Sequence, residues 1–95
     1  MTDHVLTIDL GTSGPKTAVF TLDGEYLDGE FEPVPLLLSE GGGAEQRPAD
    51  WWAGMVRAIR AALAEIDDPG AIQAIGLTGQ MHGLVCLDAG GNVLR

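Results

Sequence analysis

Residues 8 to 20 read Ile-Asp-Leu-Gly-Thr-Ser-Gly-Pro-Lys-Thr-Ala-Val-Phe, and the way this stretch folds decides the rest of the chain. Two β-rich runs, residues 4 to 10 and 16 to 22, flank a glycine-containing turn, the pattern of a hairpin. If the loop is the four residues Gly11 to Gly14, Leu10 faces Pro15 and Asp9 faces Lys16 across the ladder. The carboxylate inside this apolar run then has two readings. In one, Asp9 and Lys16 form a cross-strand ion pair, contributing about 0.2 to 1 kcal/mol. In the other, the two glycines let successive backbone N–H groups point into one concavity, Thr12 and Ser13 add hydroxyl donors, and the turn cradles an anion. An Asp beside such a cradle can hold Mg2+ directly or through water, because Mg2+ on a nucleotide takes few protein ligands, and Lys16 can neutralise phosphate charge. The motif is not a Walker A loop, since no Gly-x-x-x-x-Gly-Lys-Ser/Thr precedes a helix.

Working outward, Asp23-Gly24 predicts a two-residue type I′ turn. A third strand follows over residues 25 to 32, where Leu27, Gly29 and Phe31 alternate with polar residues as on an edge strand with one wet face. Residues 33 to 47, with Pro33, Pro35 and Gly41 to Gly43, read as a surface connection despite Leu36 to Leu38. Pro48 opens a helix, Asp50 complements its N-terminal dipole, and Trp52, Met55, Val56, Ile59, Leu63 and Ile66 recur at 3- and 4-residue spacing until Pro69-Gly70. Burying that stripe contributes about 1.5 to 3 kcal/mol per large side chain. Trp51 and Trp52 read as packing anchors rather than ligand contacts. Residues 71 to 78 form a buried strand that can run parallel to an earlier one, Gly79 to Gly83 interrupt it, and a further strand spans residues 84 to 88 before the turn at 89 to 92. The single helix covers one sheet face, which leaves the other without cover from these residues.

At 95 residues the chain is one domain at most, and 45% hydrophobic against 20% charged residues predicts a packed unit. With 14 acidic and 5 basic residues the net charge is -9, which disfavours nucleic acid and anionic membrane surfaces as partners. No apolar stretch approaches the roughly 18 residues of a membrane span, and the N-terminus lacks a basic n-region, so a cytoplasmic location is the default expectation. The lone Cys86, inside Gly-Leu-Val-Cys-Leu, excludes an internal disulfide and reads as a buried inert thiol.

Three motifs in order, Ile8 to Lys16, Glu45-Gln46-Arg47-Pro48-Ala49-Asp50-Trp51-Trp52 and Ile75-Gly76-Leu77-Thr78-Gly79-Gln80-Met81-His82-Gly83, resemble the start of an FGGY-type carbohydrate kinase of the xylulose kinase kind. The resemblance spans essentially the whole chain. It implies an α/β fold of the ribonuclease H-like type found in the actin and hexokinase superfamily, with three antiparallel strands, a helix and then a parallel strand. Residues 1 to 95 would be the first, incomplete part of the N-terminal domain, with the second lobe absent. It implies ATP and Mg2+ as cofactors, with Asp9 at the metal, Gly11, Thr12, Ser13, Gly14 and Lys16 at the phosphates, and Gln80, Met81 and His82 lining the sugar site. The implied reaction is phosphorylation of a sugar hydroxyl, D-xylulose to D-xylulose 5-phosphate. Its general base, an Asp, would lie downstream of residue 95, so the chain alone would be inactive. The implied partners are a small sugar and MgATP, with no nucleic acid or membrane, and the resemblance leaves room for a homodimer of the full-length protein.

The residues agree with that assignment on their own chemistry. Gln80 and His82 offer donors and acceptors suited to sugar hydroxyls. Taken alone, Met81 would read as core filling and His82 as a satisfied structural histidine, but Gly79 and Gly83 let the backbone approach a ligand. Glycerol kinases carry an Arg-Glu pair after the Gln, so Met81-His82 argues against glycerol. Two departures stand out: Pro15 lacks an N–H that relatives have, and Arg47 replaces an acidic residue, removing an N-cap acceptor worth about 1 kcal/mol. A non-catalytic nucleotide or sugar binding module, a truncated interaction domain, and a kinase for another pentulose, a polyol or a sugar acid are the alternatives.

Overall fold

The computed structural model describes residues 3–81 and 83–95. Its elements are β1 (His4–Gly11), β2 (Gly14–Thr21), β3 (Tyr26–Phe31), β4 (Leu37–Ser39), β5 (Gly43–Glu45), α1 (Pro48–Ala64), a 3-10 turn (Pro69–Ala71) and β6 (Ile72–Gly79). Four strands form one sheet in the order β3-β2-β1-β6, with β1 antiparallel to β2, β2 antiparallel to β3 and β1 parallel to β6. The expected α/β order of three antiparallel strands, a helix and a parallel strand is therefore present. So is the expected register: Asp9 is opposite Lys16 and Leu10 opposite Pro15, and the ladder continues one step further to Gly11 opposite Gly14.

Alternation sorts the sheet into two faces. Leu6, Ile8 and Val19 are buried with Ala62 of α1, and Leu27, Met55, Ile59, Ile66 and Ile72 pack around them. The contact stripe of α1 is made by Gly54, Ala58 and Ala62, all buried and spaced by four. These small residues bring helix and sheet close together. A Cβ at Gly54 would stand 3.1 Å from Pro15 and 3.4 Å from Val34, and the Thr17 hydroxyl donates to the Ala58 carbonyl at 3.2 Å. The large stripe read from the sequence is thus only the flank of the interface, and Trp52, expected as an anchor, is 69% exposed. Pro48 opens the helix as predicted, and Arg47 at the N-cap makes no side-chain capping bond. The helix ends at Ala64, so Ile66 reaches the core from beyond it.

Several local expectations are corrected. The Asp23-Gly24 turn spans Leu22 to Glu25, with Gly24 at φ 92°, Gly24 N–H donating to the Thr21 carbonyl and Thr21 N–H to the Glu25 carbonyl. The two bonds to Thr21 close a three-residue loop, Leu22 to Gly24, so this is not a two-residue type I′ connection. An irregularity where Val19 and Phe20 pair with Asp28 and Tyr26 breaks the alternation of β3, so Leu27 joins the core while Phe31 stays largely open. The supposed surface connection contains the β4–β5 hairpin, whose tip uses Gly41 and Gly42 at φ 83° and 88°. The last strand is not buried: β6 lies at the sheet edge beyond the reach of α1, with Ile75 59% and Leu77 75% exposed.

Residues 84 to 88 do not form a regular strand. Residues 86 to 88 pair instead with 92 to 95 across the expected turn, through the Leu87–Val93 bridge and the bonds of Cys86 N–H to the Arg95 carbonyl and Leu94 N–H to the Cys86 carbonyl. Cys86, expected to be buried, is exposed there. Asp88 holds this turn, accepting from the backbone N–H groups of Gly90 and Asn92 and from the Asn92 side chain. Those bonds, the Asn92 side chain first, hold its carboxyl below the usual carboxylate range. Arg95 then pairs with Glu45 at 2.8 Å, setting the turn beside β5. Among the described residues no helix is long and apolar enough to cross a membrane.

Candidate functional site

Because β1 and β6 are parallel, their C-terminal ends lie at the same end of the sheet, where the turn after β1 meets the segment after β6. The Gln80 N–H donates to the Leu10 carbonyl at 2.9 Å, prolonging the ladder by one residue. Thr12 and Ser13 form the exposed tip of the β1–β2 hairpin, between the paired Gly11 and Gly14. The Ser13 carbonyl accepts from Val34 N–H at 3.0 Å, which anchors the turn to the chain leaving β3.

The two glycines have different physical reasons. Gly14 adopts φ 143° and is buried, and a Cβ there would collide with the Glu32 carbonyl, so only glycine fits. Gly11 has ordinary room, its nearest neighbour being the Gly14 carbonyl at 3.6 Å from a hypothetical Cβ. Gly14 therefore shapes the turn from behind while Thr12 and Ser13 face solvent.

Asp9 is half-buried on β1, in register between Lys16 of β2 and Thr78 of β6. Lys16 is exposed. The two charges are opposite one another, yet the ion pairs among the described residues are Arg57 with Glu32 and Arg95 with Glu45. The first explanation for the half-buried carboxylate, a cross-strand ion pair, is not realised: among the described residues no cation lies within ion-pair distance of Asp9. Among the described residues no three His, Cys, Asp or Glu side chains cluster as a metal cage. A single carboxylate beside an exposed hydroxyl-bearing turn fits a magnesium ion that arrives on a nucleotide and brings most of its own ligands.

Gln80 is exposed just beyond β6, and Met81 is 79% exposed, so it fills no core among these residues. His82 lies outside the described residues. The Thr12 hydroxyl donates to Gln80 Oε1 at 3.2 Å, bringing the predicted phosphate and sugar segments into contact across 68 positions of sequence. A third segment joins them: Gln46 Nε2 donates to the Thr12 carbonyl at 2.8 Å, and Gln46 Oε1 accepts from Trp51 Nε1 at 3.1 Å and from Gln80 Nε2 at 3.3 Å. Sequence reasoning gave Gln46 no role of its own; its signal was membership of the Glu45 to Trp52 motif, two residues before the helix proline. The site is an open surface; a cavity of about 400 Å3 lies at the opposite end of the sheet, lined by His4, Thr21, Glu25 and Ala71 among others, and contains none of these groups.

A hydroxyl-tipped hairpin at the end of a strand, a carboxylate beside it and an amide-bearing segment from a parallel neighbour thus stand together at one end of the sheet. Residues 4–95 match the FGGY family of carbohydrate kinases, N-terminal domain. The chain belongs to the FGGY family of carbohydrate kinases. It is 39% identical over 94 residues to the xylulose kinase of Bacillus subtilis, covering 97% of this chain and 19% of that protein. A glycerol kinase of Cereibacter sphaeroides is 30% identical over 82 residues, covering 86% of this chain and 17% of that protein. Among solved structures, a xyloylose kinase from Brucella ovis superimposes with a TM-score of 0.92 at 36% identity, over 97% of this chain and 20% of that one. The fold is thus the α/β beginning of a sugar-kinase N-terminal lobe, and the chain spans about a fifth of the length of the relatives it matches.

Proposed function

We propose that residues 1 to 95 are the first part of an ATP-dependent sugar kinase, with D-xylulose as the phosphoryl acceptor. The observation that supports this reading is the contact between the Thr12 hydroxyl and Gln80, which joins the turn assigned here to phosphate with the amide assigned here to the sugar. Phosphoryl transfer needs little covalent help from protein; it needs in-line placement and charge stabilisation. Thr12, Ser13 and the backbone N–H groups around Gly11 and Gly14 bind phosphate oxygens, and Lys16 offsets their charge. Asp9 would hold Mg2+, which when bound supplies further neutralisation of phosphate charge. Gln80 and Met81, with His82, orient the sugar, the amide meeting hydroxyls and the thioether covering carbon. The hydroxyl proton goes to an Asp outside residues 1 to 95, and Asp9 is reserved for metal and phosphate. The xylulose kinase relatives favour D-xylulose, and Met81 in place of an arginine favours it over glycerol.

Grafting residues 1 to 95 in place of the matching fifth of the Bacillus subtilis xylulose kinase tests the assignment. The graft is expected to release ADP from MgATP faster with D-xylulose than without. A folded graft that no ketose, polyol or sugar acid stimulates would overturn it, and saturable MgATP binding without stimulation would point to a non-catalytic module instead.

A further inference from the structure

Gln46 and Trp51 are the members of the site network that the proposed reaction leaves without a task. Trp51 Nε1 is a donor with no acceptor capacity, so whatever oxygen it meets is fixed as an acceptor. It meets Gln46 at 3.1 Å, which orients the Gln46 amide with Oε1 towards the indole and Nε2 away from it. Nε2 then meets the Thr12 carbonyl, which can only accept, at 2.8 Å. Both ends of Gln46 therefore demand the same orientation. The next amide follows from it. Gln80 Nε2 donates to that same Gln46 Oε1 at 3.3 Å, and Gln80 Oε1 accepts from the Thr12 hydroxyl at 3.2 Å. The Thr12 hydroxyl could serve either Gln80 orientation, because it donates and accepts. Gln46 Oε1 could not: a reversed Gln80 would put two carbonyl oxygens together with no proton between them. The direction set by one indole N–H thus passes through Gln46 to Gln80, leaving a second Nε2 proton on Gln80 as the donor offered outward.

We propose that Gln46, held by Trp51, is a positioning residue that fixes which way the Gln80 amide faces and ties it to the turn at Thr12. Its importance for a sugar rests on the kinase reading, in which Gln80 presents a donor to one sugar hydroxyl; the orientation itself does not. Recognition of that hydroxyl would then depend on residues that touch no substrate.

The test uses the 15N-labelled 95-residue chain without ligand and reads water exchange of the Gln80 side-chain NH2 by NMR. Trp51→Phe keeps a ring but removes the N–H, and Gln46→Met keeps length but removes both amide atoms. Each is expected to speed Gln80 exchange by about three- to tenfold, the loss of roughly one net hydrogen bond. Gln46→Glu keeps an acceptor for Trp51 and Gln80 but sets a carboxylate oxygen against the Thr12 carbonyl with no proton between them, and is expected to speed Gln80 exchange as Gln46→Met does. Unchanged exchange in Trp51→Phe or Gln46→Met, with the backbone spectrum intact, would overturn the proposal. Because no sugar or nucleotide is present, this result stands or falls apart from the kinase assignment. In the grafted kinase, Trp51→Phe is expected to raise KM for D-xylulose by a similar factor with a smaller change in kcat.

Discussion

The same face of the sheet is built in two ways. Over β2 and β3, α1 lies close, with Gly54, Ala58 and Ala62 towards the sheet and Val19, with Leu6 of the neighbouring β1, buried beneath. Over β6, at the far edge beyond β1, Ile75 and Leu77 stand in register with Leu6 and Ile8 yet remain open. The strands are equally apolar in sequence. What separates them is the position of the helix, and a stripe of the smallest side chains sets that position. Small residues give up burial area per side chain but allow a close approach, so packing of the backbone and of Pro15, Thr17 and Val34 makes up the contact.

That contrast can be broken at defined points. Leu6→Ala removes a side chain that is 4% exposed and should cost about 2 to 5 kcal/mol in urea denaturation. A loss below 1 kcal/mol would mean that the core is not where the burial pattern puts it. Gly54→Leu adds a side chain where a Cβ is already within 3.1 Å of Pro15 and should cost about 1 to 3 kcal/mol, read as a lower thermal midpoint. If the midpoint were unchanged, the helix would have to sit further from β2. Leu77→Ala, on the register partner of buried Ile8, should change stability by less than about 0.5 kcal/mol in the same titration. A cost near that of Leu6→Ala would show that something covers β6 in solution.

Much of this architecture was legible in the sequence because its signals are local. The Gly11 to Gly14 turn set the β1–β2 register, Pro48 marked the helix start, and a helix between two strands implied a parallel return. The helix face was misjudged because hydrophobic periodicity weights large side chains, and Gly54, Ala58 and Ala62 barely register in it. Trp52, Cys86 and β6 were expected inside because apolarity states what can be buried, whereas burial depends on a neighbour being present. In the site, Asp9 opposite Lys16 could be read from the turn, but the absence of their ion pair could not. Gln46 was invisible for a simpler reason: it stands 34 residues from both Thr12 and Gln80, and no periodic pattern reports a bond over that distance.

The parallel pairing of β1 with β6 also sets a timetable. A growing chain can close the β1–β2 hairpin once residue 21 has left the ribosome, since its pairs lie at most 17 residues apart, His4 with Thr21. Thr12 cannot meet Gln80, 68 residues further along the chain, until the helix has been made and the strand behind it has docked. The bond between those two side chains is therefore a late event in biogenesis, and a nascent chain stalled before residue 80 would carry the turn without the surface it is meant to face.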